Sequence, residues 1–343
     1  MNTQKNFLSR PAVVLFGALI CCALWGSAFP CIKIGYKMMH IASSDTASQI
    51  LYAGCRFTLA GILAVVLGSL TQRQFLLPTK ASLPHILELS LLQTILQYLF
   101  FYIGLAHTTG VKASIIEAVS TFVAIFVAGF LFHQEKVTAR KMLGCLAGFA
   151  GVVLVNVAGN GMDLHFTVNG DGAILLSTVA YAFSSVFMKR FSIQDHPVML
   201  SGYQFILGGI VMAVFGFFMG GHLSGFTLPA FAMLFYLAVI SAVAYSLWGL
   251  LLKYNPISKV AVFGFMNPVI GVLLSAVLLG EKDSLGFSSI VLYVSWESCE
   301  AKGRDQWDFH VWDENIRIMK ENGLKFLPFV IAGPAYSLPE WYR

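Results

Sequence analysis

Long apolar stretches separated by short polar segments dominate the chain from Met1 to Gly286. A helix needs about 20 mostly apolar residues to cross the hydrocarbon core of a bilayer, and nine stretches come close to that length. The pattern therefore predicts an all-α membrane protein. We place the nine transmembrane helices at Val13–Tyr36, Ile50–Leu70, Ile86–His107, Val111–His133, Met142–Ala158, Gly172–Phe191, Pro197–Met219, Pro229–Leu252 and Ser258–Leu279, with the turn before the eighth at Gly220–Gly225.

Composition agrees with this pattern and divides the chain in two. Hydrophobic residues make up 57% of the sequence and charged residues 11%, whereas soluble domains carry about 25% charged residues. The first 286 residues hold 16 Lys and Arg and 9 Asp and Glu, and the remaining residues hold 6 and 8. A single soluble domain and a disordered chain are both excluded. The six cysteines and eight histidines lack metal-ligand spacing, so we expect no metal and no cofactor.

The basic residues predict the orientation in the membrane, because short cytoplasmic loops are enriched in Lys and Arg. If the N-terminus is cytoplasmic, eleven Lys and Arg lie in inside segments and only four in outside segments. We therefore expect a multi-pass protein of the inner or plasma membrane with a cytoplasmic N-terminus. The positive net charge of +5 is then a property of cytoplasmic loops, and no nucleic-acid partner is implied.

The two halves of this region align with each other at a nearly constant offset. The matching positions are Trp25 with Tyr181, Lys33 with Lys189, the run from Gly54 with the run from Gly202, Tyr98 with Tyr245, and Glu135 with Glu281. Five spans separate the halves, and an odd number places the copies upside down relative to each other. The alignment predicts an inverted repeat, with domains at 1–158 and 172–286 and a separate tail at 287–343.

Several runs resemble the drug/metabolite transporter superfamily in its EamA-like branch. They are WGSAF at Trp25–Phe29, RFTLAG at Arg56–Gly61, a fourth span that ends near Glu135, and GCLAGFAGVVLV in the fifth span. The resemblance covers Val13 to Glu281. It implies ten helices in two five-helix repeats and a central cavity that opens alternately to each side. In this chain only Ser284–Trp296 is available for the tenth span, so we expect that helix to be missing or replaced.

The tail has a different character, with four of the six tryptophans and a strand, helix, strand pattern. We predict strands from Ile290 and Leu324 and an amphipathic helix from Val311, which together form one βαβ unit. The unit resembles a fragment of a β-galactosidase-type glycoside hydrolase (β/α)8 barrel. One unit of eight cannot close a barrel, so no hydrolase activity is assigned to Glu297, Glu300 or Glu340. We interpret the tail as a foreign fragment joined near Gly286–Ile290; a genuine soluble appendage is the alternative.

Two charged side chains inside the spans are candidates for substrate or proton binding. A charge at the centre of a membrane helix costs about 2.5–3.5 kcal/mol on insertion scales, so it usually faces a watery cavity or a partner. Glu117 is expected to bind a proton or a cationic group, or alternatively to pair with Arg56 or Lys112. Arg56 could meet an anionic group, but we favour a structural or gating role, since its aligned residue is the neutral Gln204.

Aromatic and polar positions that coincide between the repeats are the other candidates, because sites in inverted repeats lie where the repeats meet. These cavity candidates are Trp25, Tyr98, Ser120, Thr121, Tyr181, Gln204, Tyr245, Trp248 and Asn267. Pro268 is expected to break the ninth helix and free backbone carbonyls. Ordinary bundle packing is the alternative for any single aromatic residue.

Together these features predict a secondary transporter, not an enzyme, that moves a small metabolite, an amino acid or a drug-like solute by alternating access. A membrane-anchored glycoside hydrolase and a non-transporting membrane scaffold are the alternatives, and the scaffold predicts aromatic pairs that pack without a cavity. Partners would be the solute and the lipid bilayer, with proton coupling left open. Gly144 and Gly148 form a GxxxG pair, which fits helix contact within the bundle or across a homodimer.

Overall fold

The structure is a computed structural model in which residues 7–108, 110–157, 166–279, 289–295, 299, 308–310, 313–314, 316–317 and 325–331 are described. It divides into two compact units. The first, called the helical body below, comprises Met1–Val157 and Met162–Glu281. The second, the tail unit, comprises Ala158–Gly161 and Lys282–Arg343.

Nine helices form the described part of the helical body, and each overlaps one predicted span. They are α1 (Pro11–Met38), α2 (Thr46–Gln72), α3 (Ser82–Leu105), α4 (Gly110–Phe126), α5 (Ala139–Val157), α6 (Val168–Phe191), α7 (Pro197–Phe218), α8 (Leu228–Tyr254) and α9, which consists of Ile257–Ala261, a 3-10 turn at Val262–Phe265 and Met266–Leu279. Among the described residues, α1, α2, α3, α6, α7 and α8 are long and apolar enough to cross a membrane. The prediction of an all-α membrane body is confirmed.

Helix boundaries follow local capping chemistry. Asp45 precedes α2 and its carboxylate accepts a hydrogen bond from the backbone N of Ser48 at 3.0 Å. Hydrogen bonding from Ser48 lowers the pKa of the Asp45 carboxyl below its ordinary value. The predicted turn before α8 contains Gly220 and Gly225 with φ of 88° and 69°, a left-handed conformation that glycine adopts without steric cost. Proline at the start of α7 and α8 fits the first helical turn.

Helices α2 and α7 pack closely through glycines that the repeat relates to each other. A Cβ on Gly202 would lie 3.2 Å from the carbonyl oxygen of Gly61, and a Cβ on Gly209 would lie 2.9 Å from that of Gly54. Gly54 aligns with Gly202 and Gly61 with Gly209, so exchanging the repeats converts one contact into the other. The earlier residue of α2 meets the later residue of α7, which makes the helices antiparallel. This is the arrangement of an inverted repeat.

The remaining helices follow the same symmetry. Helix α1 packs on α8 and α9, and its repeat equivalent α6 packs on α3 and α4. Helix α5 contacts α9 where Gly148 lies against the ring of Phe265, whereas added Cβ atoms on Gly144 and Gly151 would meet nothing within 4 Å. The GxxxG pair therefore serves a contact inside the body through Gly148, and the homodimer stays a prediction.

The tail unit contains two parallel strands, as the sequence predicts. Strand β1 (Ser289–Ser295) pairs with β2 (Lys325–Ile331) from Ser289↔Lys325 to Ser295↔Ile331. Part of the segment available for a tenth span is thus a strand. Between the strands, the described residues Glu314 and Arg317 are helical and joined by a hydrogen bond of 2.8 Å, in agreement with the predicted helix. Glu297, Glu300 and Glu340 lie outside the described residues.

Candidate functional site

A cavity of about 430 Å³ lies in the helical body and is lined by both repeats. Of the residues selected from the sequence, it brings together Trp25, Arg56, Tyr98, Glu117, Ser120, Thr121, Tyr181, Tyr245, Trp248, Asn267 and Pro268. Only Gln204 among those candidates does not line it. Its volume is in the range of sites that enclose small organic ligands, roughly 300–1,000 Å³.

An aromatic cluster forms one wall of the cavity. The Trp25 ring meets Tyr245 edge to face at 5.0 Å and Trp248 at 5.1 Å between ring centroids. The hydroxyls of Tyr98 and Tyr245, which the repeat aligns, are 2.7 Å apart and hydrogen-bonded. Aromatic rings bury a large apolar area while keeping a polar edge. This wall therefore suits a solute with an apolar portion.

Arg56 carries a positive charge at the cavity from the first half of α2. Its side chain is 4% exposed, and its guanidinium lies 4.2 Å from the centroid of the Phe57 ring and 5.9 Å from that of Tyr98. Within the described residues, its Nε has no hydrogen-bond partner. Contact with aromatic faces partly compensates the buried cation. The group is placed to bind an anionic group in the cavity.

Glu117 places a carboxyl group at the cavity from α4. The described ion pairs include none of Glu117 with Lys112 or Arg56, and the Lys112 ammonium lies 3.4 Å from the Asp171 carboxylate. One turn further along α4, the Thr121 hydroxyl donates to the Ala261 carbonyl at 3.1 Å. Glu117 and Arg56 thus present an acidic and a basic group to one cavity, with no ion pair between them among the described residues.

Several buried polar atoms at the cavity lack hydrogen-bond partners within the described part of the chain. They include the indole Nε1 atoms of Trp25 and Trp248, the Nε of Arg56 and the Oδ1 of Asn267. Burying such a group without a partner costs roughly 1–3 kcal/mol in proteins. Polar atoms gathered at one cavity therefore favour binding of a solute that has polar groups.

Helix α9 is interrupted by a 3-10 turn that lies one turn before Pro268. Pro268 has no N–H to donate to the carbonyl of Gly264, four residues earlier. The chain there forms the 3-10 turn Val262–Phe265 instead of a regular α-helix. Asn267 and Pro268 both line the cavity beside this turn.

Gln204 lies outside the cavity, between α3 and α7. Its side-chain oxygen accepts from the Thr94 hydroxyl at 2.6 Å and its backbone oxygen from the Ser90 hydroxyl at 2.9 Å. Both donors belong to a π-helical segment of α3, Ser90–Leu96. The alignment with Arg56 suggested that Gln204 lines the cavity. In the structure Arg56 lines the cavity in the first repeat, whereas the equivalent position in the second repeat, Gln204, packs against α3.

Other residues that line the cavity were not among the candidates predicted from the sequence. Tyr36 and Lys33 extend the cavity along α1, and Gln97 and Tyr102 along α3. A helix brings positions seven, eight or eleven residues apart to one face. Counting from Trp25 along α1 would have identified Lys33 and Tyr36.

The cavity opens at one end of the helical body and is closed at the other. At the end where α1 terminates it reaches the exposed residues Lys33, Ser43 and Leu105. Towards the end where α1 begins it stops at Leu252 and Ala261, which are 1% and 9% exposed. A solute would therefore have access from one side only.

Comparison with known proteins gives matches along the helical body. The model of the EamA-like transporter family matches residues 12–157 and 168–293, once in each repeat. The second match is shorter by about 20 residues, the length of one membrane span. This difference agrees with the expectation that the tenth helix is missing or replaced.

Curated relatives cover most of the chain. An uncharacterised transporter YvbV of Bacillus subtilis is 26% identical over 85% of this chain and 91% of its own. The uncharacterised inner membrane transporter YedA of Escherichia coli K12 is 27% identical over 79% and 85%. A protein of Salmonella typhimurium named a probable amino-acid metabolite efflux pump is 24% identical over 78% and 87%. A solved crystal structure, 16% identical, covers 80% of this chain and 92% of its own with a TM-score of 0.64, which supports the fold alone.

Proposed function

Because this chain belongs to the EamA-like transporter family and is a membrane transporter, we propose that it moves a small organic solute by alternating access. The observation that carries the proposal is the cavity of about 430 Å³, lined by both repeats and open at one end only. Inverted repeats that exchange conformations would close the open end and open the closed one. The scaffold alternative is disfavoured, since it requires the aligned aromatic residues to pack without a cavity.

The lining supports a zwitterionic substrate of amino-acid size. Arg56 suits a carboxylate, Glu117 suits an ammonium group, and the rings of Trp25 and Tyr245 suit an apolar side chain. A solute that carries both charges would neutralise both protein groups inside a region of low dielectric constant, whereas a neutral solute would neutralise neither. The relative named a probable amino-acid metabolite efflux pump fits this substrate class.

Glu117 is the proposed site of proton coupling. Its carboxylate lines the cavity without an ionic partner among the described residues. A cationic solute group and a proton would then compete for the same oxygens. Such competition couples solute binding to proton release.

The proposed orientation places the N-terminus in the cytoplasm of a cell with the protein in its inner or plasma membrane. The Lys and Arg distribution supports it, and one relative is named an inner membrane transporter. In this orientation the cavity of the structure faces the outside. The two EamA-like domains, 1–158 and 172–286, would carry the transport function.

For the tail at 287–343, we propose that it takes no part in transport. Its two strands pair in parallel, as the strands of a βαβ unit do, which supports the interpretation as a fragment of a β-galactosidase-type barrel. A membrane-anchored hydrolase would need the other units of such a barrel and their carboxylates. A reading frame beyond Arg343 that encodes them would favour that alternative.

The proposal is tested by uptake into proteoliposomes that contain the purified full chain. Labelled amino acids, their amides, which lack the carboxylate, and their deaminated acids, which lack the ammonium group, form the panel. We expect uptake of at least one zwitterion and weaker uptake of both of its analogues. Equal transport of the zwitterion and its analogues would contradict the substrate class, and transport of no solute by a folded chain would contradict the function.

A further inference from the structure

The closed end of the helical body is held by a contact between the two repeats. Glu135, which follows α4 in the first repeat, accepts hydrogen bonds from the backbone N of Ser258 at 3.1 Å and from its hydroxyl at 3.0 Å. Ser258 is the second residue of α9, in the second repeat. The carboxylate therefore caps the first turn of α9, where unpaired backbone N–H groups and the helix dipole favour a negative charge.

The surroundings of Glu135 keep its carboxylate in this place. Its side chain is 6% exposed, and the Lys141 ammonium lies 3.5 Å from it. Hydrogen bonds to a buried charged group are stronger than those between neutral groups. Within the described residues, Ser258 supplies the hydrogen bonds that Glu135 accepts from α9.

The segment that joins α8 to α9 receives further hydrogen bonds at the same end. The Lys189 ammonium, at the end of α6, donates to the backbone oxygen of Asn255. Asn255 Nδ2 donates to the Leu8 carbonyl at 2.9 Å, and Lys259 Nζ donates to the Ser9 carbonyl at 3.2 Å. The N-terminal segment, α4 and α6 thus all hold the start of α9.

The start of α9 also forms the closed end of the cavity. Ala261, three residues after Ser258, lines the cavity and is 9% exposed. Its carbonyl accepts the hydrogen bond from Thr121 of α4. Movement of this first turn away from α4 would remove the wall that ends the cavity.

We propose that Glu135 is a gating residue, and that release of its contact with Ser258 opens the cavity at the end where α1 begins. The proposal rests on alternating access as the mechanism of transport. The 3-10 turn Val262–Phe265 and Pro268 supply a point at which the first turn of α9 moves independently of the rest of the helix.

Cys22 is a native probe of this movement. Its Sγ lies 3.1 Å from the carbonyl oxygen of Phe263, in the 3-10 turn of α9, and its side chain is 0% exposed. While the gate is closed, a water-soluble thiol reagent cannot reach it. When the start of α9 moves, Cys22 loses this contact and becomes accessible.

The test measures the rate at which a water-soluble maleimide labels Cys22 in the full chain in lipid nanodiscs, followed by mass spectrometry. We expect Glu135→Ala to raise the rate by about tenfold or more, since a hydrogen bond to a charged group contributes roughly 1.5–3 kcal/mol. Ser258→Ala should raise it less, and Ser258→Thr, which keeps the hydroxyl, should leave it near the wild-type rate. Glu88→Ala is the matched control, because Glu88 is an exposed carboxylate of α3 at the same end.

The proposal is overturned if Glu135→Ala and Ser258→Ala, both folded by size exclusion and thermal unfolding, label at the wild-type rate. If Glu135→Ala does not fold, Ser258→Ala decides alone, since it removes one hydroxyl. Labelling needs no solute. Faster labelling of the variants, in a chain that transports nothing, would therefore contradict the proposed function but support the gating role of Glu135. An unchanged labelling rate, in a chain that does transport, would contradict the gating role but not the proposed function.

Discussion

The hydroxyls of Tyr98 and Tyr245 are hydrogen-bonded to each other at 2.7 Å across the interface between the repeats. The two residues occupy equivalent positions in the two halves of the sequence, so each repeat contributes the same group to one contact at the cavity wall.

Removing either hydroxyl of this pair should lower the stability of the protein, and removing the second hydroxyl as well should lower it little further. Tyr98→Phe and Tyr245→Phe should each lower the free energy of unfolding by about 1 kcal/mol, and the double variant should lose clearly less than the sum. Thermal unfolding in nanodiscs measures the three variants. Strict additivity would show that the two hydroxyls do not stabilise each other.

Because α2 and α7 approach each other closely, we expect the addition of one methyl group at their contact to destabilise the protein. A Cβ at Gly209 would lie 2.5 Å from the backbone N of Thr58, so Gly209→Ala should destabilise the body by about 1–3 kcal/mol through overpacking. Gly144→Ala is the control, since a Cβ there meets nothing within 4 Å. A lowered unfolding temperature for the first variant alone is expected; equal behaviour of the two would contradict the observed packing.

Glu117 should determine how transport depends on a proton gradient. Glu117→Gln keeps the shape of the side chain but cannot bind a proton, so uptake driven by a pH gradient should fall to the level without a gradient while solute exchange continues. The measurement is uptake and exchange in proteoliposomes with and without the gradient. Glu88→Gln, which changes an exposed carboxylate, should behave as wild type, and unchanged gradient dependence in Glu117→Gln would remove Glu117 from the coupling.

Much of this architecture could be predicted from the sequence, because membrane helices and their repeat leave strong periodic signals. The helices, the inverted relation between Gly54 and Gly202, the break near Pro268 and most of the cavity residues follow from apolar length and alignment. The alignment cannot predict the conformational state, because in that state the two repeats differ from each other in structure. Arg56 and Gln204 are aligned, yet one lines the cavity and the other is sealed against α3.

The contact between Glu135 and Ser258 could not be predicted from the sequence for a related reason. Glu135 stood out as an aligned position at the end of a span, but its partner Ser258 is 123 residues away and carries no pattern of its own. Contacts between distant loops depend on tertiary packing. They are visible only in the folded structure.

The central claim, that the aromatic cavity between the repeats is the transport pathway, is tested most directly by counterflow of the solute panel in proteoliposomes with wild-type, Trp25→Ala and Phe16→Ala chains. Trp25 lies in the cavity wall, whereas Phe16 is on the same helix with its side chain 64% exposed. We predict that wild type and Phe16→Ala exchange the same solute at similar rates and that Trp25→Ala exchanges it at least about tenfold more slowly, since a lost aromatic contact costs on the order of 1–2 kcal/mol. Counterflow by folded Trp25→Ala at the wild-type rate would contradict the claim.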